Sequence, residues 1–372
     1  MRAALALALL AALAACEGPK ASPAGTAAPI PAPPPEPAPA PAPPVEPEPE
    51  PPPVRRDGTV YAEAELMGTR FSINVWLPPD RLPADAGAAI REAFDELDRI
   101  ESIASEWRAD SELTRLNQAS GGELMPLSDD LFAILRRSRV VAEATDGAFD
   151  PTFYAVGQLW RFTPGATPPS PEAIAEKLVL VGWQGIELDA DGRRGRLARA
   201  GMKVGLGAIA KGYAVDRASA LLRGRGFTDH IVEGGGDTFV SGTKGGKPWM
   251  VGIQNPDGPG SIGALPIRDR ALVTSGGYER FFEYEGKRYA HILDPRSGWP
   301  LDEASSALSV SVVADDATDA DAYCTAIAVM GPKRGMDFLE AHPNLDGVII
   351  TRGREVLVSS GLVSDFVRPP AR

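Results

Sequence analysis

Seventeen of the chain's 36 prolines fall between Glu17 and Arg56, in a run made mostly of Pro, Ala and Glu. Proline fixes φ and removes a backbone donor, and this composition offers almost nothing apolar to bury. The segment therefore reads as an extended polyproline II linker that joins no core. At about 3.1 Å per residue its forty residues reach roughly 120 Å. Whatever folds must be built from residues 57–372, a stretch long enough for one large or two modest cores.

Ahead of the linker, "MRAALALALLAALAAC" has one basic residue, an unbroken apolar run and then small residues. This is the layout of a secretory signal, too short to span a bilayer as a helix. Leu13-Ala14-Ala15-Cys16 has the form of a bacterial lipobox, in which the cysteine becomes the lipidated first residue; the alternative is an ordinary signal peptide with an incidental Cys16. The expected divisions are a lipoprotein signal over 1–16, a linker over 17–56 and the folded unit over 57–372. Glu17 after the cysteine, where some bacteria place Asp to retain lipoproteins at the inner membrane, hints at the outer membrane.

The net charge of -12 and the lack of any Lys/Arg run speak against nucleic acid, which requires a basic face. Cys324 is the one cysteine besides Cys16, so no internal disulfide is expected after the signal. Within "YCTAIAVM" it reads as a small buried packing residue.

Periodicity gives the elements. "TVYAEAEL" and "TRFSINVWL" alternate as strands of a hairpin turning at Met67-Gly68. Ile90, Phe94, Leu97 and Ile100 recur at helical spacing. "SDDLFAILRRSRVVAEATDG" is a second helix, with Ser128 as N-cap, two acids in the first turn and Gly147 beyond the end. "GRLARAGMKV" is a weak strand, followed by a helix over "AIAKGYAVDRASALLRGRG". Strands follow at "HIVE", "PWMVGI", "ERFFEYEGKRYAHIL" (a hairpin turning at Glu285-Gly286) and "ALSVSVVAD". A helix over "DADAYCTAIAVMG" precedes strands "GVIIT" and "REVLVSS". Hairpins and helices mix without steady alternation, so the expected class is α+β, with mixed or antiparallel sheets and packed helices.

"GLGAIAKGYAVD", from Gly205 to Asp216, fits the dinucleotide pattern G-x-G-x-x-G/A, but a strand should precede it and an acid should follow after some twenty residues. The physical element is a glycine-rich turn into a helix N-terminus, where N–H groups face phosphate oxygens and Lys211 adds a charge. Asp321 and Thr325, four apart on a helix, point to one side. They read either as two ligands of a hard cation such as Mg²⁺ or as a solvated Asp beside a core-facing Thr. His291, in "YAHILDPRSGWP", lies between strand and turn signals and reads equally as a proton carrier or a packing residue. His230 and His342 read as surface residues.

In order along the chain, "MGTRFSI", "SEWRADSELTRLN", "DGAFDPT", "GLGAIAKGYAVD", "EGGGD", "PWMVGIQNP", "VTSGGYERFF", "HILDPRSG" and "DATDADAYCTAI" resemble the ApbE family, the FAD:protein FMN transferases, over nearly all of residues 60–360. The resemblance implies a two-lobed α+β fold. It also implies a Mg²⁺-dependent reaction in which a Thr or Ser hydroxyl of an acceptor protein attacks the pyrophosphate of FAD, FMN becomes attached through its phosphate, and AMP leaves. By the same resemblance, Met67, Trp107, Ala148, Phe149, Asp150, Lys211 and Ile292 contact the cofactor. Asp321, Thr325 and the backbone carbonyl of Ala208 hold the metal, and His291 sits near the reacting phosphate with a proton-transfer or positioning role.

Two further readings share this site: an FAD pyrophosphatase, with water in place of the acceptor, and a non-catalytic FAD-binding lipoprotein. The implied location is the cell envelope facing the periplasm, lipid-anchored through Cys16, with a membrane electron-transfer component as acceptor. The chain departs from the family pattern in having Gly205 where Asp is typical, Glu233 where Asn is usual, and Gly277 in place of a common acid. Glu233 is a candidate to replace the carboxylate missing at Gly205.

Overall fold

The computed structural model describes residues 53–276, 281–302 and 306–368. The signal, Cys16, nearly all of the linker and Gly277 lie outside the described residues.

Strands β1 (Thr59–Leu66) and β2 (Thr69–Trp76) form the expected hairpin. Its two-residue turn places both Met67 (φ 50°) and Gly68 (φ 72°) in the left-handed region, as a type I′ turn between twisted strands requires. Phe71, Ile73 and Val75 point inward and are fully buried. Helix α1 (Pro83–Ala104) buries Ile90, Leu97 and Ile100 along one stripe, and α2 (Glu112–Gln118) and the two-residue β3 (Met125–Pro126) follow. Helix α3 (Asp129–Ala144) starts where expected: the Ser128 hydroxyl accepts the Leu131 N–H at 3.2 Å, taking one of the donors left unpaired by the first turn.

Two short helices, α4 (Tyr154–Gly157) and α5 (Pro171–Leu178), lead to β4 (Ile186–Asp189) and β5 (Arg194–Leu197). These two strands make a small sheet with β3. Of the strand expected before the glycine-rich turn, only the first three residues, Gly195 to Leu197, are in a strand, and that strand is spent in a separate sheet. No strand runs into Gly205.

After α6 (Ala210–Gly224) come β6 (His230–Gly234), β7 (Asp237–Ser241), β8 (Trp249–Gln254), β9 (Ser261–Ile267) and β10 (Arg270–Gly276). Then follow the hairpin β11 (Phe281–Tyr284) and β12 (Lys287–Ala290), turning at Glu285-Gly286, and strand β13 (Ala307–Ala314). Helices α7 (Ala317–Met330) and α8 (Pro332–Ala341) precede the strands β14 (Asp346–Thr351) and β15 (Val356–Val358). Eight strands form one antiparallel sheet in the order β1-β2-β6-β7-β10-β13-β14-β15. A dinucleotide fold needs parallel strands, so this architecture excludes it and bears out the α+β expectation.

The central strands are covered on both faces. Phe239, Val273, Val310 and Val312 join the main core with α1, α6 and α7, while Val240, Leu272 and Val313, one residue out of phase, join a second cluster under the β8–β9 hairpin. Helix α7 is apolar almost all round because it lies under α6 and α8 and on β10 and β13. Cys324, on this helix, is fully buried, and burial pushes its thiol up to about 12. A third, aromatic cluster joins Trp160, Phe282, Tyr289 and Trp299. None of the described helices is long and apolar enough to cross a membrane.

One expectation is corrected here. His230 is not a surface residue: it is fully buried, with Nε2 2.8 Å from the Ser219 hydroxyl and Nδ1 2.8 Å from the Phe227 carbonyl oxygen. Burial lowers its pKa to about 4. His342 is half-buried, stacked on Phe338 with ring centroids 3.9 Å apart.

Candidate active site

The glycine-rich turn is fixed by what presses on it. A Cβ at Gly205 would lie 3.0 Å from three atoms of the Tyr154 side chain, and the Gly205 N–H donates to the Pro151 carbonyl at 2.9 Å. The Leu206 N–H donates to Glu106 Oε2 at 3.4 Å, so a half-buried carboxylate from the α1–α2 loop caps the turn. Burial raises the Glu106 carboxyl above the usual range. Tyr154 meets Trp107 edge-on at 6.2 Å, and Trp107 stands 82 % exposed. Glu106 and Tyr154, not Glu233, therefore occupy the surroundings of Gly205. Glu233 accepts from the Ser72 hydroxyl at 3.2 Å and from the Gly236 N–H at 3.3 Å, holding a different turn.

From the first turn of α6, Lys211 Nζ donates to Asp237 Oδ2 at 3.0 Å and to Asp321 Oδ2 at 3.3 Å. Both acids are almost out of contact with water, at 1 % and 2 % exposure. Burial alone would lower the lysine, but the two carboxylates hold it well above its ordinary value. Asp237 is driven far up by burial and then by the charge of Asp321, against the pull of Lys211. Two buried carboxylates against one ammonium leave negative charge uncompensated, and a low-dielectric site keeps such charge only with another cation or a proton.

The Gly212 N–H, in the position to pair with the Ala208 carbonyl, donates instead to Asp321 Oδ2 at 3.3 Å. That leaves the Ala208 oxygen without a backbone partner among the described residues. Thr325, half-buried one turn beyond Asp321, makes no hydrogen bond there either. A carbonyl, a carboxylate and a hydroxyl are the hard oxygen donors that Mg²⁺ takes, so these residues fit the ion. No group of three or more His, Cys, Asp or Glu side chains suited to a metal occurs among the described residues.

Sheet geometry brings in the remaining parts. Phe71 pairs with Gly234, whose missing Cβ would fall 2.2 Å from the Phe71 ring, so the Met67 turn lies beside the turn that delivers Asp237. The Met67 N–H donates to Glu101 Oε2 at 2.9 Å. Ala148 and Phe149 are buried, and Asp150 is engaged by the Thr152 hydroxyl (2.6 Å) and the Trp183 N–H (3.0 Å). This segment holds the Tyr154 side of the turn and offers a ligand mainly backbone. His291 lies just past β12, its ring edge-on to Phe162 at 6.4 Å. Its neighbours Ala290 and Ile292 line a cleft with Ser275 and with Ala328 of α7.

The glycine-rich turn pointed to Lys211; spacing left Asp321 and Thr325 open between metal ligands and a solvated Asp beside a core-facing Thr, and the family resemblance singled them out. None of these readings named Asp237, Glu106 or Asp216 as a site residue; the only local sign of Asp237 was the triple glycine before it.

The family model described as the ApbE family matches residues 67–349. The FAD:protein FMN transferase of Treponema pallidum (strain Nichols) is 37 % identical over 326 residues, covering 83 % of this chain and 89 % of the relative. That of Escherichia coli (strain K12) is 30 % identical over 284 residues, 74 % and 79 % of the two chains. Among solved structures, the ApbE protein of Thermotoga maritima superposes with a TM-score of 0.74 at 31 % identity, covering 82 % of this chain and 98 % of its own. The flavin transferase ApbE from Vibrio cholerae gives 0.73 at 28 % identity, covering 82 % and 99 %.

Proposed function

The chain belongs to the ApbE family of FAD:protein FMN transferases, and from that premise we propose how its own residues carry the activity. The substrate is FAD, and the FMN moiety passes to a protein hydroxyl with release of AMP. The observation that carries the reading is the buried Lys211–Asp237–Asp321 cluster at the start of α6, with the Gly212 N–H on Asp321.

Ala208, Asp321 and Thr325 would hold Mg²⁺, which when bound neutralises the pyrophosphate oxygens and favours displacement at phosphorus. Lys211 supplies a fixed positive charge for a phosphate, tethered by Asp237 so that it stays in place when Asp321 is drawn to the ion. Trp107, exposed beside Tyr154, offers an aromatic face to the flavin or adenine. His291, between the cleft-lining Ala290 and Ile292, would receive or steer the hydroxyl proton of the acceptor. Residues 57–372 form the catalytic unit. The leader and the roughly 120 Å linker support lipid anchoring through Cys16 at the periplasmic side of the envelope, where a membrane electron-transfer protein carrying a Thr or Ser would be in reach.

The test is AMP release from FAD by the chain with Mg²⁺ and then with EDTA, with and without a threonine-containing acceptor peptide whose mass is followed. Release that needs both metal and acceptor, with an FMN-sized mass gain, is the expected result. Release without acceptor would make hydrolysis the main activity, and FAD binding with no release would make the chain a flavin carrier.

A further inference from the structure

Asp216, the last residue of the glycine-rich motif, touches neither the cluster nor the turn. It lies four residues after Gly212, on the same face of α6. Its Oδ1 accepts the Ala317 N–H at 2.8 Å, and its Oδ2 accepts the Thr318 N–H at 2.9 Å and the Thr318 hydroxyl at 2.5 Å. Those are the first two N–H groups of α7. The next, of Asp319, goes to the helix's own cap Asp316 at 2.7 Å, and that of Ala320 to the Asp316 carbonyl at 3.2 Å. The three N–H groups at Ala317, Thr318 and Asp319 that precede the first helical bond are thus all satisfied, two of them by a neighbouring helix.

The contacts follow two rows of four-residue spacing that run in opposite directions. On α6 the row is Gly212, Asp216; on α7 it is Asp321, Ala317. Asp216 meets Ala317 and Thr318, and Gly212 meets both Asp321 and the Ala317 carbonyl, which comes within 2.1 Å of where its Cβ would stand. Ala208 precedes the first row across the non-helical Ile209 (φ -156°), and Thr325 lies one turn beyond the second. One of the two paired steps carries the implied ligand Asp321, and the other is the Asp216 clamp.

We infer that Asp216 is a positioning residue for the metal set: by fastening the first turn of α7 to α6, it sets how far the Ala208 carbonyl stands from Asp321 and Thr325. The inference rests on the reading of those three residues as Mg²⁺ ligands. Removing the clamp leaves two backbone N–H groups and a hydroxyl, at Ala317 (0 % exposed) and Thr318 (8 % exposed), without their partner. The start of α7 then shifts to reach water, and the ligands it carries move with it.

The experiment measures Mn²⁺ binding to the full chain by electron paramagnetic resonance, without FAD, for the parent and for Asp321→Asn, Asp216→Asn and Thr318→Val, together with FAD binding in EDTA and the melting temperature. Asp216→Asn keeps one acceptor oxygen and is expected to raise the Mn²⁺ Kd about tenfold, as loss of a residue that orients a ligand does. FAD binding in EDTA should stay within about twofold of the parent, because the clamp is remote from the turn. Thr318→Val, which removes only the hydroxyl arm, should raise the Kd about threefold, and it decides the matter if Asp216→Asn does not fold. A lowered melting temperature with the parent Kd would overturn the inference, leaving Asp216 a structural cap. If Asp321→Asn leaves Mn²⁺ binding unchanged, the metal reading fails and the inference with it; if only Asp321→Asn weakens binding, the inference alone fails.

Discussion

Alanine at Gly212 and alanine at Gly224 are the same substitution in the same helix, and they should act with opposite sign. A Cβ at Gly212 would sit 2.1 Å from the Ala317 carbonyl oxygen and 2.6 Å from its carbon. A carbon and a carbonyl oxygen approach no closer than about 3.3 Å, so the first turn of α7 would have to retreat by roughly 1.2 Å. The obstacle is backbone, with no side chain to swing aside. Overpacking of this kind costs about 3 kcal/mol, the upper end of its range, and the better helix propensity of alanine returns about 1 kcal/mol. The net loss is about 2 kcal/mol.

At Gly224, the last residue of α6, nothing lies within 4 Å of the added methyl. There the smaller entropy of the unfolded chain should stabilise by about 0.5–1 kcal/mol. Urea unfolding of the two variants with equal slopes should give free energies about 3 kcal/mol apart, on either side of the parent. The Gly212 variant should also lose AMP release, because Asp321 retreats with α7 from the Gly212 N–H that holds it. Two midpoints on the same side of the parent would refute the account of α6 and α7 as a contact set by the missing Cβ.

His230 titrates near 4 in the fold against 6.5 when exposed, so on acidification the unfolded chain takes the proton first. Its contribution is complete above about pH 6.5 and drains away as the pH falls to about 4, a difference of roughly 3 kcal/mol; unfolding of the parent and His230→Gln across that window should show a shallower pH slope in the variant, and equal slopes would count against it. Gly205→Asp should cost about 1–3 kcal/mol through the Tyr154 side chain, and adding Tyr154→Ala should recover at least about 1 kcal/mol in a double-mutant cycle. Simple additivity would show that Tyr154 does not fill the space beside Gly205. Iodoacetamide at pH 7.5 should leave Cys324 unmodified in the folded chain and alkylate it readily in urea; rapid native labelling would contradict its burial and raised pKa.

Elements with an intact period were legible, namely the β1–β2 hairpin, α1 and α3 with its Ser128 cap; α7, buried all round, was legible from its long apolar, alanine-rich run. Strands that lack a period were not. β7 and β10 are buried on both faces and carry no alternation, β9 contains Gly263 and Pro266, and the β3–β5 sheet is built from pieces of two to four residues. The nucleotide-like spacing of Gly205, Gly207 and Ala210 has a packing origin. Tyr154 crowds the first and Glu106 the second, whose Cβ would fall 3.3 Å from its Oε1. Within the site, Lys211 could be singled out by its glycine-rich turn, and Asp321 and Thr325 as a pair on one helix face, although spacing left that pair open between ligand and packing roles. Asp237, Glu106 and Asp216 owe their roles to partners 26, 100 and 102 residues away, and no local pattern records such a meeting. The burial of His230 is likewise tertiary: nothing in a histidine at the head of a strand tells which face a helix will cover.

The seam between β2 and β6 has a consequence for how the molecule comes into being. Leu66 and Thr69 close their hairpin across two residues, whereas Ser72 and Glu233 must meet across 161. The logarithmic growth of loop entropy makes the second closure dearer by about 3 kcal/mol. The intervening chain holds α1 to α6 and the small sheet, which can form from nearer contacts first. Only when the long seam shuts do the Met67 hairpin and the turn before Asp237 become neighbours. The site proposed for the flavin is then among the last parts of the molecule to exist, and a ligand that binds only the closed form lengthens the life of this joint without hastening its making.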